Sequence, residues 1–155
     1  SLNNHEIISE YSVVDGPNDL EIHNNQLYVS GSVTTIYPSN NTGISRINLN
    51  TDVILTLTNE ENTNIKNGLS IINGSVFRTS SEGLIPVRND LSLDIENTIL
   101  GGTNISFASA DDNYIYFTET DYIAPDTVRV TTLTGDFINE FIVGIAPKKF
   151  ISLNN

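Results

Sequence analysis

Short runs rich in Val, Ile, Thr, Tyr and Phe alternate along the chain with clusters of Asn, Gly, Asp and Ser. This is the pattern of strands separated by turns. No long stretch places apolar residues at i, i+3, i+4 and i+7, so helices are not expected. The pattern predicts strands at 6–13, 20–22, 26–37, 44–49 and 53–58. A second set follows at 69–72, 75–79, 84–88 and 91–100, and a third at 105–108, 114–118, 127–132 and 137–143. Residues 149–153 read as one more short strand. Asn24-Asn25 reads as a hairpin turn and Asn73-Gly74 as a strong hairpin signal, because both pairs tolerate positive φ.

The strands repeat in sets of four. The heads of the units align as Leu20, Leu69, Ile105 and Phe150, at spacings of 49, 36 and 45 residues. A period of about 43 residues with four antiparallel strands is the signature of a β-propeller blade. The two ends of the chain also match. Residues 8–20 align without gaps on residues 138–150, with Ile8/Ile138, Glu10/Glu140, Val13/Val143 and Pro17/Pro147 identical. The expected fold class is therefore all-β: β-propeller blades, three of them four-stranded and antiparallel, at about 18–58, 67–100 and 103–143. An orphan outer strand lies at the N-terminus (5–13) and an orphan inner strand at the C-terminus (148–153). All belong to one repeat domain over 1–155, whole or part of a larger propeller. Three blades and two orphan strands do not close a ring of four or more blades. The count points to a longer chain, to completion of blades between copies, or to an unusual four-bladed ring with one two-stranded blade.

The stretch Gly16-Pro17-Asn18-Asp19-Leu20-Glu21-Ile22-His23-Asn24-Asn25-Gln26-Leu27-Tyr28-Val29, followed by Ser45-Arg46-Ile47-Asn48-Leu49, resembles the repeats of NHL/YVTN-type β-propellers. The resemblance covers essentially the whole chain and is strongest between Leu20 and Leu49. The second unit departs from it, with Val76-Phe77-Arg78 in place of Leu-Tyr-Val. The resemblance implies a blade fold and an exported bacterial setting. It does not choose a function, since such propellers bind ligands, proteins or sugars, or catalyse.

Composition narrows the classes. With 155 residues and 38% hydrophobic positions, the chain is long and apolar enough for one domain with a core. No apolar run is long enough to span a membrane. A net charge of −12, from 19 acidic and 7 basic residues, argues against nucleic acid as a partner. The absence of Cys excludes disulfides and thiolate zinc sites. The absence of Met predicts that an initiator, a signal peptide or a larger N-terminal part has been lost. Abundant Asn, Ser and Thr with little Lys predict an extracellular or cell-surface protein, bacterial in origin.

Candidate chemistry sits in loops. In propellers, ligands gather where the loops entering the inner strands converge. Here those loops supply Asp15, Asn18, Asp19, Asn67 and Asn104. Such oxygens suit Ca²⁺, with Asp15, Asp19, Asp111 and Asp112 as the weak metal candidates. Turn-forming Asn and Asp that bond their own backbone are the commoner reading, so no metal or other cofactor is expected and Ca²⁺ is the alternative. His5 and His23 are isolated, and no Ser/His/Asp set or phosphate-binding Gly-rich loop is present. Tyr37 and Tyr122 stand beside polar loops and are candidates for a sugar- or peptide-binding rim. Glu6, Ile8, Glu10, Lys149 and Ile151 lie on the two orphan strands and are the candidate assembly edges. The leading expectation is a non-enzymatic exported module that binds a protein or carbohydrate, or serves as a scaffold. A subunit that completes blades between copies of itself is the alternative, and a calcium-dependent propeller hydrolase or lyase the second alternative.

Overall fold

The computed structural model describes residues 6–36, 39–59, 64–147 and 150. The first four strands are β1 (Pro17–His23), β2 (Gln26–Ile36), β3 (Ser39–Asn48) and β4 (Ile54–Asn59). They form an antiparallel sheet in the order β1-β2-β3-β4. β5 (Ile65–Ile72), β6 (Ser75–Ser80) and β7 (Gly83–Pro86) form a three-stranded sheet. β8 (Phe107–Ala110), β9 (Tyr114–Thr118), β10 (Thr127–Thr132) and β11 (Phe137–Ile142) form a third, four-stranded meander.

Local chemistry sets the turns. Asn24 and Asn25 have φ of 50° and 58°, and Asn73 and Gly74 have φ of 46° and 75°. Two successive positive φ values define the hairpin turn whose twist matches its strands. These pairs close β1 on β2 and β5 on β6, with His23 opposite Gln26 and Ile72 opposite Ser75.

The strand expected over 91–100 does not form, so the middle sheet has three strands rather than four. Polar side chains there bond locally and compete with a ladder. Asp90 Oδ1 accepts the Ser92 amide at 3.0 Å and its hydroxyl at 2.6 Å, and Asp94 Oδ2 accepts Asn97 Nδ2 at 2.9 Å. One turn of 3-10 helix spans Ile95–Asn97. Pairing survives only as two single bridges, Val87 with Leu93 and Leu84 with Ile99. Leu91 takes a φ of 70°, unfavourable for a bulky side chain, yet it is fully buried.

The middle sheet has a core on each face, because successive residues of a strand point to opposite sides. Val76 packs with Ile44, Leu69 and Leu91 between the first and second sheets. Its neighbour Phe77 packs with Ile72, Leu84, Ile105, Ile115 and Phe117 between the second and third. β5 contacts both β1 and β8, so the leading strands of the three sheets are neighbours. Asp19 joins the first two by accepting the Leu69 amide at 2.8 Å.

The N-terminal outer strand expected over 5–13 is not formed by its described part, 6–13. The chain there crosses the first sheet without joining a ladder. Gly31 and Gly43 face each other across β2 and β3, and Val14 fills the notch they leave. Val14 N donates to Ser45 Oγ at 2.8 Å, and the Tyr11 hydroxyl reaches Asp52 Oδ1 at 2.6 Å. Val14 is thereby buried, while residues 6–13 make no ladder. The inner strand expected over 148–153 lies outside the described residues, apart from Phe150. Its approach is visible, however. Ala146 before Pro147 has φ 50°, and Gly16 before Pro17 has φ 58°. The two junctions aligned in sequence thus share an unusual backbone turn.

Candidate functional site

Three segments converge on an open polar pocket of about 320 Å³. The chain entering β8 contributes Asn104. The β9–β10 loop contributes Glu119, Thr120, Asp121 and Asp126, and β10 contributes Thr127 and Arg129. The volume is at the small end of ligand sites.

Hydrogen bonds and ion pairs hold the lining residues in place. Lys66, at the start of β5, donates Nζ to Asn104 Oδ1 at 2.5 Å and to Ser106 Oγ at 3.2 Å. Burial pulls the Lys66 pKa below its ordinary value, and the charge of Glu119 works against that. Arg129 pairs with Glu119 Oε1, and its Nε lies 3.6 Å from Glu140 Oε2. Asp126 is buried and ties the pocket wall to the C-terminal junction: its Oδ2 accepts the Ala146 amide at 2.7 Å, and its carbonyl accepts Val143 N at 2.8 Å.

The β9–β10 loop, which lines the pocket, is shaped by its own side chains. Asp121 Oδ1 accepts the amides of Ile123 and Ala124 at 2.8 and 3.0 Å, and these bonds, Ala124 first, hold its pKa below the usual carboxylate range. Thr120 Oγ1 accepts the Tyr122 amide at 3.1 Å. The result drives Tyr122 to φ 61° and presents it 65% exposed, with Ile123 80% exposed beside it. A non-glycine residue held at positive φ at a loop tip is a place to look for function.

The structure does not bring the sequence candidates together. Asn104 lines the pocket and Tyr122 stands on its loop. Asn18 is exposed on β1. Asp19 binds backbone, with Oδ1 on the Leu20 amide at 2.9 Å and Oδ2 on that of Leu69. Asn67 is half-buried between the first and second sheets and bonds Ser32 Oγ at 2.8 Å. Asp111 shapes the β8–β9 turn: Oδ1 accepts Asn113 N at 2.8 Å and Tyr114 N at 2.9 Å, and Oδ2 accepts the Tyr116 hydroxyl at 2.8 Å. These bonds, that from Asn113 first, depress its pKa, while the same contact raises that of Tyr116. Asp15 and Asp112 are exposed. Among the described residues no three His, Asp or Glu side chains form a metal-binding group. Glu6, Ile8 and Glu10 are exposed, while Tyr37, His5, Lys149 and Ile151 lie outside the described residues.

Sequence reasoning missed Lys66, Glu119, Asp126 and Arg129. One signal was present: Arg129 is among only 7 basic residues and interrupts an apolar strand between Val128 and Val130. No protein-family model and no curated protein matches the chain, so none names the NHL/YVTN family for it.

Proposed function

We propose that the chain is a non-enzymatic binding module of an exported protein, with its three sheets packed radially as propeller blades of the NHL/YVTN type. The neighbouring leading strands β1, β5 and β8 support the radial arrangement. The ligand is a neutral saccharide held in the polar pocket of the third sheet. The observation that carries this reading is that the β9–β10 loop both lines that pocket and carries the exposed Tyr122, which lies next to the lining residue Asp121 in sequence. Sugar hydroxyls both donate and accept, and the pocket offers carboxylate and amide acceptors beside Arg129 and threonine donors. The aromatic face of Tyr122 supplies a stacking surface. Three carboxylates against one arginine in the lining disfavour an acidic ligand.

The test is a binding screen of immobilised neutral and acidic oligosaccharides. The expected result is retention of a neutral saccharide, weakened about tenfold by Tyr122→Ala and by Asn104→Ala. Retention of no saccharide, or retention that both variants leave intact, defeats the reading.

A second reading, assembly between copies, is favoured by two surfaces. All six residues of the edge strand β11 are exposed, including Phe137, Ile138, Phe141 and Ile142. Residues 6–13, which match 136–143 in part of their sequence, join no sheet, and Ile7 and Ile8 are 78% and 83% exposed. An extended apolar segment and a bare edge are complementary. Sedimentation equilibrium against the 17.0 kDa monomer decides it, a strict monomer at high concentration counting against assembly.

A further inference from the structure

The dipeptide Asn-Gly occurs twice in the chain, at 67–68 and at 73–74. Asparagine before glycine is the pairing most prone to lose its side-chain amide. Glycine carries no Cβ to hinder attack by its own backbone nitrogen on the asparagine side chain. Both copies belong to the β5–β6 hairpin, yet the fold treats them oppositely.

Asn67-Gly68 lies inside β5, where the pairing with β6 is irregular. Gly68 is buried and donates its amide to Thr79 Oγ1 at 3.1 Å. A Cβ at Gly68 would stand 2.8 Å from both Thr79 Cγ2 and Thr79 Oγ1, so the backbone is pressed against that side chain. Asn67 Nδ2 is tied to Ser32 Oγ of the first sheet at 2.8 Å, and its Oδ1 is buried. Ring closure here must free the Gly68 amide from Thr79, detach Asn67 from Ser32 and swing Asn67 Cγ onto the Gly68 nitrogen inside a packed layer.

Asn73-Gly74 is the two-residue turn of the same hairpin. Both residues and Ser75 are exposed, and a Cβ at Gly74 would meet nothing within 4 Å. The last pair of the ladder is Ile72 with Ser75, so the Gly74 amide lies outside it. Ile72 and Val76 are anchored in the two cores, which leaves the turn as an open tip on a fixed base. We propose that Asn73 is a site of spontaneous deamidation in the folded chain, and that the fold shields Asn67 from the same reaction. The Gly74 nitrogen attacks Asn73 Cγ and gives up its proton to solvent, the bond from Cγ to Nδ2 breaks, and ammonia leaves. Water then opens the cyclic imide. Addition at Cγ gives aspartate, and addition at the main-chain carbonyl gives isoaspartate. Asp-Gly favours the same turn as Asn-Gly, so the aspartyl product keeps the hairpin. Isoaspartate adds a carbon to the main chain between two anchored strands. This inference is independent of the saccharide reading and concerns a different part of the molecule.

The test is peptide mapping of the whole chain after incubation at mildly alkaline pH, folded and in urea, with an aliquot digested at once as the baseline. Trypsin, cutting after Lys66 and Arg78, releases residues 67–78 as one peptide that holds both sites. Fragment ions assign the gain of one mass unit to Asn67 or to Asn73. In the folded chain the gain at Asn73 should exceed that at Asn67 by about tenfold or more, because Asn67 reacts only from locally opened molecules. In urea both sites should react at comparable rates, and Asn73→Gln should remove the gain from the folded chain. Equal gain at the two sites in the folded chain overturns the proposal. So does a gain at Asn67 first, or no gain at Asn73 over a time in which the urea-unfolded chain reacts.

Discussion

The N-terminal segment rests on a single plug, and its energetics can be worked out from the notch. An ideal Cβ at Gly43 stands 2.4 Å from Val14 Cγ2 and 2.9 Å from the Leu57 carbonyl. Both distances are below any real contact, so Gly43→Ala must push Val14 out or shift β4. Overpacking of this kind costs about 1–3 kcal/mol. Val14→Ala removes two buried methyl groups and leaves a small cavity, together about 2 kcal/mol. In the double variant the new Cβ occupies space that the valine methyls have left, so the two losses overlap. The expected coupling is about 1 kcal/mol or more in the direction of rescue. Urea titration followed by far-UV circular dichroism is the suitable assay, since the chain has no Trp. At about 2–4 °C per kcal/mol for a chain of this size, Val14→Ala should lower the thermal midpoint by about 4–8 °C and Gly43→Ala by about 2–12 °C. Additivity within about 0.5 kcal/mol would show that Val14 does not sit on Gly43, and the crossing path of residues 6–14 would be wrong.

Three further outcomes are expected. Asp19→Ala leaves the buried Leu69 amide without its acceptor and should cost about 1–3 kcal/mol in chemical denaturation, with Asp19→Asn, which keeps one acceptor oxygen, losing less. Leu91→Ala should cost about 2–5 kcal/mol, because the residue fills the core between the first two sheets; a loss below 1 kcal/mol would mean that its unfavourable φ was not compensated by burial. Asp111 has a depressed pKa in the folded chain, so its contribution is present above the unfolded value of about 3.9 and is lost as pH falls through the lower folded value. Melting from pH 6 to pH 2 should therefore show the gap between wild type and Asp111→Asn shrinking below about pH 4; a gap constant with pH would contradict the bonding around that turn.

Much of the fold was legible because the turns carry their own chemistry. Asn24-Asn25 and Asn73-Gly74 announce hairpins through residues that accept positive φ, and the alternating runs between them fix the strands. The shared Gly16-Pro17 and Ala146-Pro147 junction was also readable as a gapless match. What failed did so where tertiary contacts overrule local pattern. Residues 8–13 look like β11 in sequence, but Val14 just beyond them is captured by two glycines that only pairing of β2 with β3 brings together. Residues 91–100 are apolar enough for a strand, yet Asp90 and Asp94 fold them into local turns. The pocket was nearly invisible because Lys66 and Asn104 meet across 38 positions of sequence. Arg78 was hidden for the opposite reason: a charged residue in a strand is read as facing water, and this one does not.

The most direct test of the binding-module account is a map of where ligand touches the chain. Backbone amide chemical shifts should be followed during titration with the neutral oligosaccharide retained best in the screen. The account predicts saturable shifts concentrated at Asn104, Glu119–Thr127 and Arg129, weakened in Tyr122→Ala. Shifts that cluster on β11 or on residues 6–13 instead, or no saturable shifts at all, would contradict it.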